Sequence, residues 1–201
     1  MKGRLPKWAL WGFGALLLIA VGILIGRGTA KVEPNYPDTR DQSSSPRTRQ
    51  GAVKAAEAIA RIMTGPSGDE VAYREAMESV AANEWVSRAV ELAENSIVFV
   101  RDRYGVGGSI TFEPIRYRLT SYSEDQATVE LWGVVLGFGP KIAGVEESWI
   151  TGTIELAWSV NEWKASGQSS KGGPTPESLR TEDDTSANIV LREFTELGSD
   201  E

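Results

Sequence analysis

A chain of 201 residues with 21 Lys and Arg against 28 Asp and Glu carries a formal charge of −7, and it holds no histidine and no cysteine. Without cysteine there are no disulfides, thiolate metal sites or lipids attached through an N-terminal cysteine; without histidine the commonest general base and zinc ligand are missing. Residues 1–30 hold Lys2, Arg4, Lys7 and Arg27 and no acid, which leaves 17 cations against 28 anions beyond them, a formal −11, so acidic a remainder that no direct nucleic-acid binding is expected.

The chain opens on an uncharged apolar run from Trp8 to Ile25, with Lys2, Arg4 and Lys7 before it and Arg27 and Lys31 after it. At 1.5 Å rise per residue such a run is long enough to cross a hydrocarbon layer about 30 Å thick as one helix. Trp8 and Trp11 sit near one end, where amphipathic rings favour the headgroup level. Residues 1–30 are therefore expected to be a cytoplasmic tip and a transmembrane anchor. The excess of cations before the span places the N-terminus in the cytoplasm and the rest of the chain outside it, at the cell membrane. Gly28-Thr29-Ala30 leaves open a cut after Ala30, although the apolar run is longer than a signal peptide's usual core.

Residues 31–50, with Pro34, Pro37, Pro46 and a run of three serines, read as a linker. Helical spacing begins at Ala52, with Val53, Ala56, Ile59, Ala60, Ile62 and Met63 on a broad face, and Gly65-Pro66 stops it. Ser67 or Asp69 then caps a second helix, in which Val71 or Ala72, Glu75, Ala76, Met77 and Val80 alternate between buried and wet positions. Asn83 reads as the cap of a third, with Trp85, Ala89, Leu92, Ser96 and Phe99 or Val100 on one face and an end near Gly105. Past Gly108 the period falls to two. Ile115–Leu119, Val129–Val134, Trp149–Trp158 and a run from Trp163 predict four strands, with short polar turns at Ser123–Gln126 and Ser159–Glu162. Helices first and an antiparallel meander second make an α+β fold over residues 51–171. Residues 172–201 form an acidic tail expected to be mostly disordered, in which Ile189, Val190, Phe194 and Leu197 could line a short docking helix.

Chemistry-bearing motifs are few. Gly105, Gly107 and Gly108 follow a helix and precede a strand, the reverse of a phosphate loop. Glu146 and Glu147 are neighbours on a strand and point to opposite faces; Asp183-Asp184 lies in the tail, and Ser169-Ser170-Lys171 reads as a loop. No catalytic residue, cofactor or metal is expected. Trp132, Trp149, Trp158 and Trp163 all fall in the strand half. They are candidates either for core packing or for an aromatic platform that binds a protein partner.

A single apolar span, a linker, three helices and a four-stranded antiparallel meander resemble the inner-membrane scaffold subunits of type IV secretion and conjugation machines. The resemblance implies a curved sheet with helices packed on it, the nuclear-transport-factor-2-like (cystatin-like) roll. More narrowly, SYSEDQATVELWGV (Ser121–Val134), WITGTIELAWSVNEWK (Trp149–Lys164) and GGPTP (Gly172–Pro176) resemble a group of actinobacterial membrane-anchored proteins linked to conjugative elements. It implies a non-catalytic scaffold that associates with itself and with other secretion-channel subunits. Two alternatives stay open: a cell-surface ligand-binding module, and a small-molecule enzyme using the roll's pocket, with Tyr104, Tyr117, Tyr122 and Asp102 as pocket groups.

Overall fold

The computed structural model describes residues 45–66, 69–176 and 193–197. The Trp8–Ile25 run, most of the linker, and Asp183, Asp184, Ile189 and Val190 lie outside the described residues. Among those described, no helix is long and apolar enough to cross a membrane.

Three helices precede the sheet: α1 (Arg49–Met63), α2 (Glu70–Val80) and α3 (Val86–Tyr104). The Thr48 side chain caps α1 by accepting from the Gly51 N–H at 3.0 Å, so the helix starts three residues before its apolar spacing does. Asp69, the second of the two expected caps, accepts from Val71 and Ala72 at the start of α2. Val71 is exposed, and Tyr73 is the fully buried anchor of that helix. Asn83 is not the cap of α3: Trp85 takes that position with no side-chain hydrogen bond, after a turn closed by Trp85 N–H to the Ala82 carbonyl at 2.8 Å. On α3 it is Val100, not Phe99, that faces inward. Gly105, at φ 94°, ends that helix in a conformation that side chains rarely adopt.

Strands β1 (Ser109–Tyr122), β2 (Gln126–Phe138), β3 (Val145–Ser159) and β4 (Glu162–Gly172) form the expected antiparallel meander. The sheet has five strands rather than four, because the tail adds β5 (Thr195–Glu196), giving the order β4-β3-β2-β1-β5. The tail residues described are thus extended, not helical. β1 also starts earlier than its Ile115–Leu119 signal, since Ile110 and Phe112 already alternate inward. Register shifts at Pro114/Arg116 and Leu119/Ser121 bend β1, and another lies in the β3–β4 pairing.

All three helices cover one face. Ile59, Ile62, Tyr73, Met77, Ala89 and Ile97 pack there against Phe112, Val129, Leu131, Ile154, Leu156 and Trp163. The opposite face carries a separate small cluster of Trp132 and Phe194 with Trp149 packed on it.

Candidate interaction surface

The four strand tryptophans divide between the two faces of the sheet. Trp149 and Trp158 stand nine positions apart on one strand, an odd spacing, so they point to opposite sides. On the helix side, Trp163 is buried and meets Trp158 edge-on at 5.2 Å and Tyr122 at 6.1 Å. The Trp163 indole N–H donates to the Pro46 carbonyl at 3.2 Å, and the Arg47 guanidinium lies 5.6 Å over the Trp158 ring. This group ties the start of the domain to the β3–β4 turn and belongs to the core.

On the outer face, Trp132 and Trp149 stack at 4.8 Å with rings 27° apart. Trp132 is only 5% exposed, and its indole N–H donates to the Pro174 carbonyl at 3.0 Å. The Trp149 indole N–H donates to Glu147 at 2.5 Å. Phe194, brought back by the tail, covers Trp132 and is itself 7% exposed. The Arg118 guanidinium sits 5.0 Å over the Phe194 ring and bonds to Glu130 at 2.5 Å and to Glu193. Arg116 pairs with Glu196 at 2.9 Å. Aromatic stacking, a cation over a ring and alternating charges together hold the tail segment against this face.

Two hollows flank these features. One of about 480 Å3 opens between the first turn of α1 (Arg49, Gln50, Val53), β1 (Tyr117, Arg118, Leu119) and the tail (Glu193, Thr195). The other, about 300 Å3, lies inside the roll and is lined by apolar side chains such as Met63, Leu92, Phe112, Ile150 and Ile154, with Thr64, Ser96, Gln168 and Ser170 as its polar side chains. A Cβ added at Gly152, which also lines it, would meet nothing within 4 Å. Tyr104, Tyr117, Tyr122 and Asp102 do not converge on this interior hollow. Tyr104 packs with Val100 and Ile110, Tyr117 lines the other hollow, Tyr122 donates to the Arg47 carbonyl at 3.2 Å, and Asp102 is exposed. Among the described residues, no three carboxylates gather in a metal-binding group.

Glu146 and Glu147 turn to separate partners, as their adjacency requires. Glu146 accepts from Arg103 at 2.6 Å, and that guanidinium holds the carboxyl below its ordinary range. Burial, helped by the nearby Glu146 carboxylate, pushes the Tyr104 hydroxyl above its usual value. Arg74 likewise lowers Glu94 through a hydrogen bond at 2.5 Å.

Sequence reasoning singled out the tryptophans and Phe194 but not Arg116, Arg118, Glu193 and Glu196. The usable signal was the acid–Phe–Thr–acid order of residues 193–196 opposite a strand that alternates Arg116 and Arg118.

A family model described as a domain of unknown function (DUF8175) matches residues 46–186. No curated protein matches the chain. Among solved structures it is similar to the intermembrane space region of the chloroplast protein ARC6, at 15% identity over 63% of this chain and 96% of that one, with a TM-score of 0.43. It is also similar to CagV, a VirB8 homologue of the type IV secretion system of Helicobacter pylori strain 26695, at 9% identity over 61% of this chain and 98% of that one, with a TM-score of 0.47. At such low identities and scores, neither likeness carries anything about activity or partners.

Proposed function

We propose that this chain, which belongs to the DUF8175 family over residues 46–186, is a non-catalytic membrane-anchored scaffold or assembly subunit of a secretion channel of the type IV or conjugation kind. The observation that carries the reading is the division of chemistry between the two faces of the sheet. The hollow between the helices and the sheet offers hydroxyl, amide and apolar side chains, whereas proton transfer calls for a side chain that titrates near the working pH. A second set of charged and aromatic groups, Arg116, Arg118, Trp132 and Trp149, stands instead on the outer face and at the β1 edge, where it holds an extended segment. That distribution suits a module that works by surface contact. Anchoring through Trp8–Ile25, an extracytoplasmic domain and partnership with other channel subunits are parts of the same proposal, motivated by the apolar run and by the sequence resemblance of the strand segments.

Affinity recovery of the full chain from detergent-solubilised native membranes tests the reading, combined with protease treatment of intact cells. Companion membrane subunits should co-purify in fixed proportion, and the region from residue 45 onward should be shaved from outside. Recovery of the chain alone from a membrane-free fraction would overturn it.

One feature favours a second reading, a ligand-binding module: the interior hollow with open space beside Gly152. That reading requires a small apolar molecule to travel with the purified chain, visible by native mass spectrometry and lost in Gly152→Leu.

A further inference from the structure

The tail segment Glu193–Leu197 is held at the β1 edge like a bound peptide. Its main chain pairs antiparallel, with Glu196 opposite Arg116 and Thr195 opposite Tyr117, and the Leu197 N–H donates to the Ile115 carbonyl at 3.2 Å. Alternate side chains are read on the two faces, as in recognition by strand addition. Phe194 fills the outer position against Trp132 under Arg118, and Glu193 and Glu196 bracket it with ion pairs to Arg118 and Arg116. Leu197 turns to the other side and packs against the main core. The site therefore selects an extended acid–Phe–Thr–acid–Leu sequence by charge sign, one aromatic anchor and strand register.

Sixteen residues, 177–192, connect the segment to the end of the sheet. A chain of that length can span up to about 55 Å, so its covalent link does not oblige the segment to dock on its own domain. Contacts made within one copy and between two copies would be the same, and effective concentration alone decides between them.

We infer that the β1 edge is a docking site for the Glu193–Leu197 segment of a second copy, so that neighbouring copies are laced tail to edge. Because the segment and its site are different surfaces, the contact is heterologous. It gives a reciprocal pair if exchanged both ways and a ring or row if passed onward. The inference draws on the assembly reading only for the density of copies that favours exchange.

The chain has no native cysteine to confuse a cross-linking test. Two differently tagged full-length chains, one carrying Tyr117→Cys and the other Thr195→Cys, are co-expressed in membranes and treated with a short bismaleimide. Exchange yields a product containing both tags. Phe194→Ala on the Thr195→Cys chain should cut that product about tenfold or more, as loss of an anchor residue does. The same two cysteines in one chain report whether the domain is folded and the segment docked at all. Ile115→Cys with Leu197→Cys repeats the test at the next register position, should Tyr117→Cys perturb the fold. Cross-linking confined to the two-cysteine chain, or absent at both register positions, would overturn the proposal. A two-tag product from a chain that recovers no companion subunits would sustain the exchange while the channel assignment failed.

Discussion

Replacing Trp132 with alanine puts the outer-face cluster to the sharpest test. Trp132 is 5% exposed, stacks on Trp149 at 4.8 Å, lies under Phe194 and donates its indole N–H to Pro174 at 3.0 Å. Truncating a buried aromatic residue costs about 3–5 kcal/mol, of which stacking supplies about 0.5–1.5 kcal/mol and the hydrogen bond about 1 kcal/mol. The cover over this side chain is a short tail segment rather than an interlocked core. The space left behind can be closed or opened to water, so the expected loss lies at the low end, about 3 kcal/mol. For a domain of this size that corresponds to a fall in Tm of about 6–12 °C. Trp132→Phe keeps a ring on Trp149 and loses the indole N–H, and it should cost about 1 kcal/mol. Urea unfolding of the full-length chain in mild detergent, followed by far-ultraviolet circular dichroism, reads the difference without relying on tryptophan emission. An unchanged midpoint for Trp132→Ala would refute the packing derived for the outer face.

The depressed carboxyls of Glu146 and Glu94 stabilise the fold above the ordinary carboxylate range, and that contribution is lost as pH falls through their folded values. Glu146→Gln should therefore flatten the acid limb of a stability–pH profile, and added salt should weaken the effect because both pairs are exposed. Val160 sits at φ 52° in the β3–β4 turn and is 82% exposed; Val160→Asn should raise stability by up to about 1 kcal/mol in thermal melts, since asparagine tolerates that conformation better. Two inward-facing glycines should respond in opposite ways: Gly152→Ala, whose Cβ meets nothing within 4 Å, should be neutral or stabilising by about 0.5 kcal/mol. Gly133→Ala, whose Cβ would fall 2.2 Å from the Glu113 carbonyl oxygen, should cost more than about 2 kcal/mol in the same melts.

What was legible in the sequence was what local periodicity encodes. The apolar spacing of Val53 to Met63 and the Gly65-Pro66 stop mark the body and end of α1, and alternation marks the meander. The start of α1 was hidden because Arg49 and Gln50 are exposed in the first turn, so the cap at Thr48 had no apolar signal beside it. The start of α3 was misplaced because a polar residue before an apolar run looks like a cap, whereas a backbone turn from Ala82 to Trp85 does that work. Strand parity already separated Trp149 from Trp158, although membership in one half of the chain suggested a single platform. The fifth strand was out of reach of any window. Its partners are separated by 75 residues for Arg118 and Glu193 and by 80 for Arg116 and Glu196, and its two apolar residues, Phe194 and Leu197, stand three positions apart, a spacing that reads as a helix turn.

Site-directed cross-linking in living cells measures most directly whether the domain works by surface association at a membrane. Single cysteines placed at the exposed positions Val106, Val145 and Val160 in the full-length chain, with a thiol-reactive cross-linker added to intact cells, should capture a second copy or a companion membrane subunit from at least one position. Failure to capture any protein from all three, in cells where the chain is folded and its cysteines are labelled from outside, would contradict the scaffold reading.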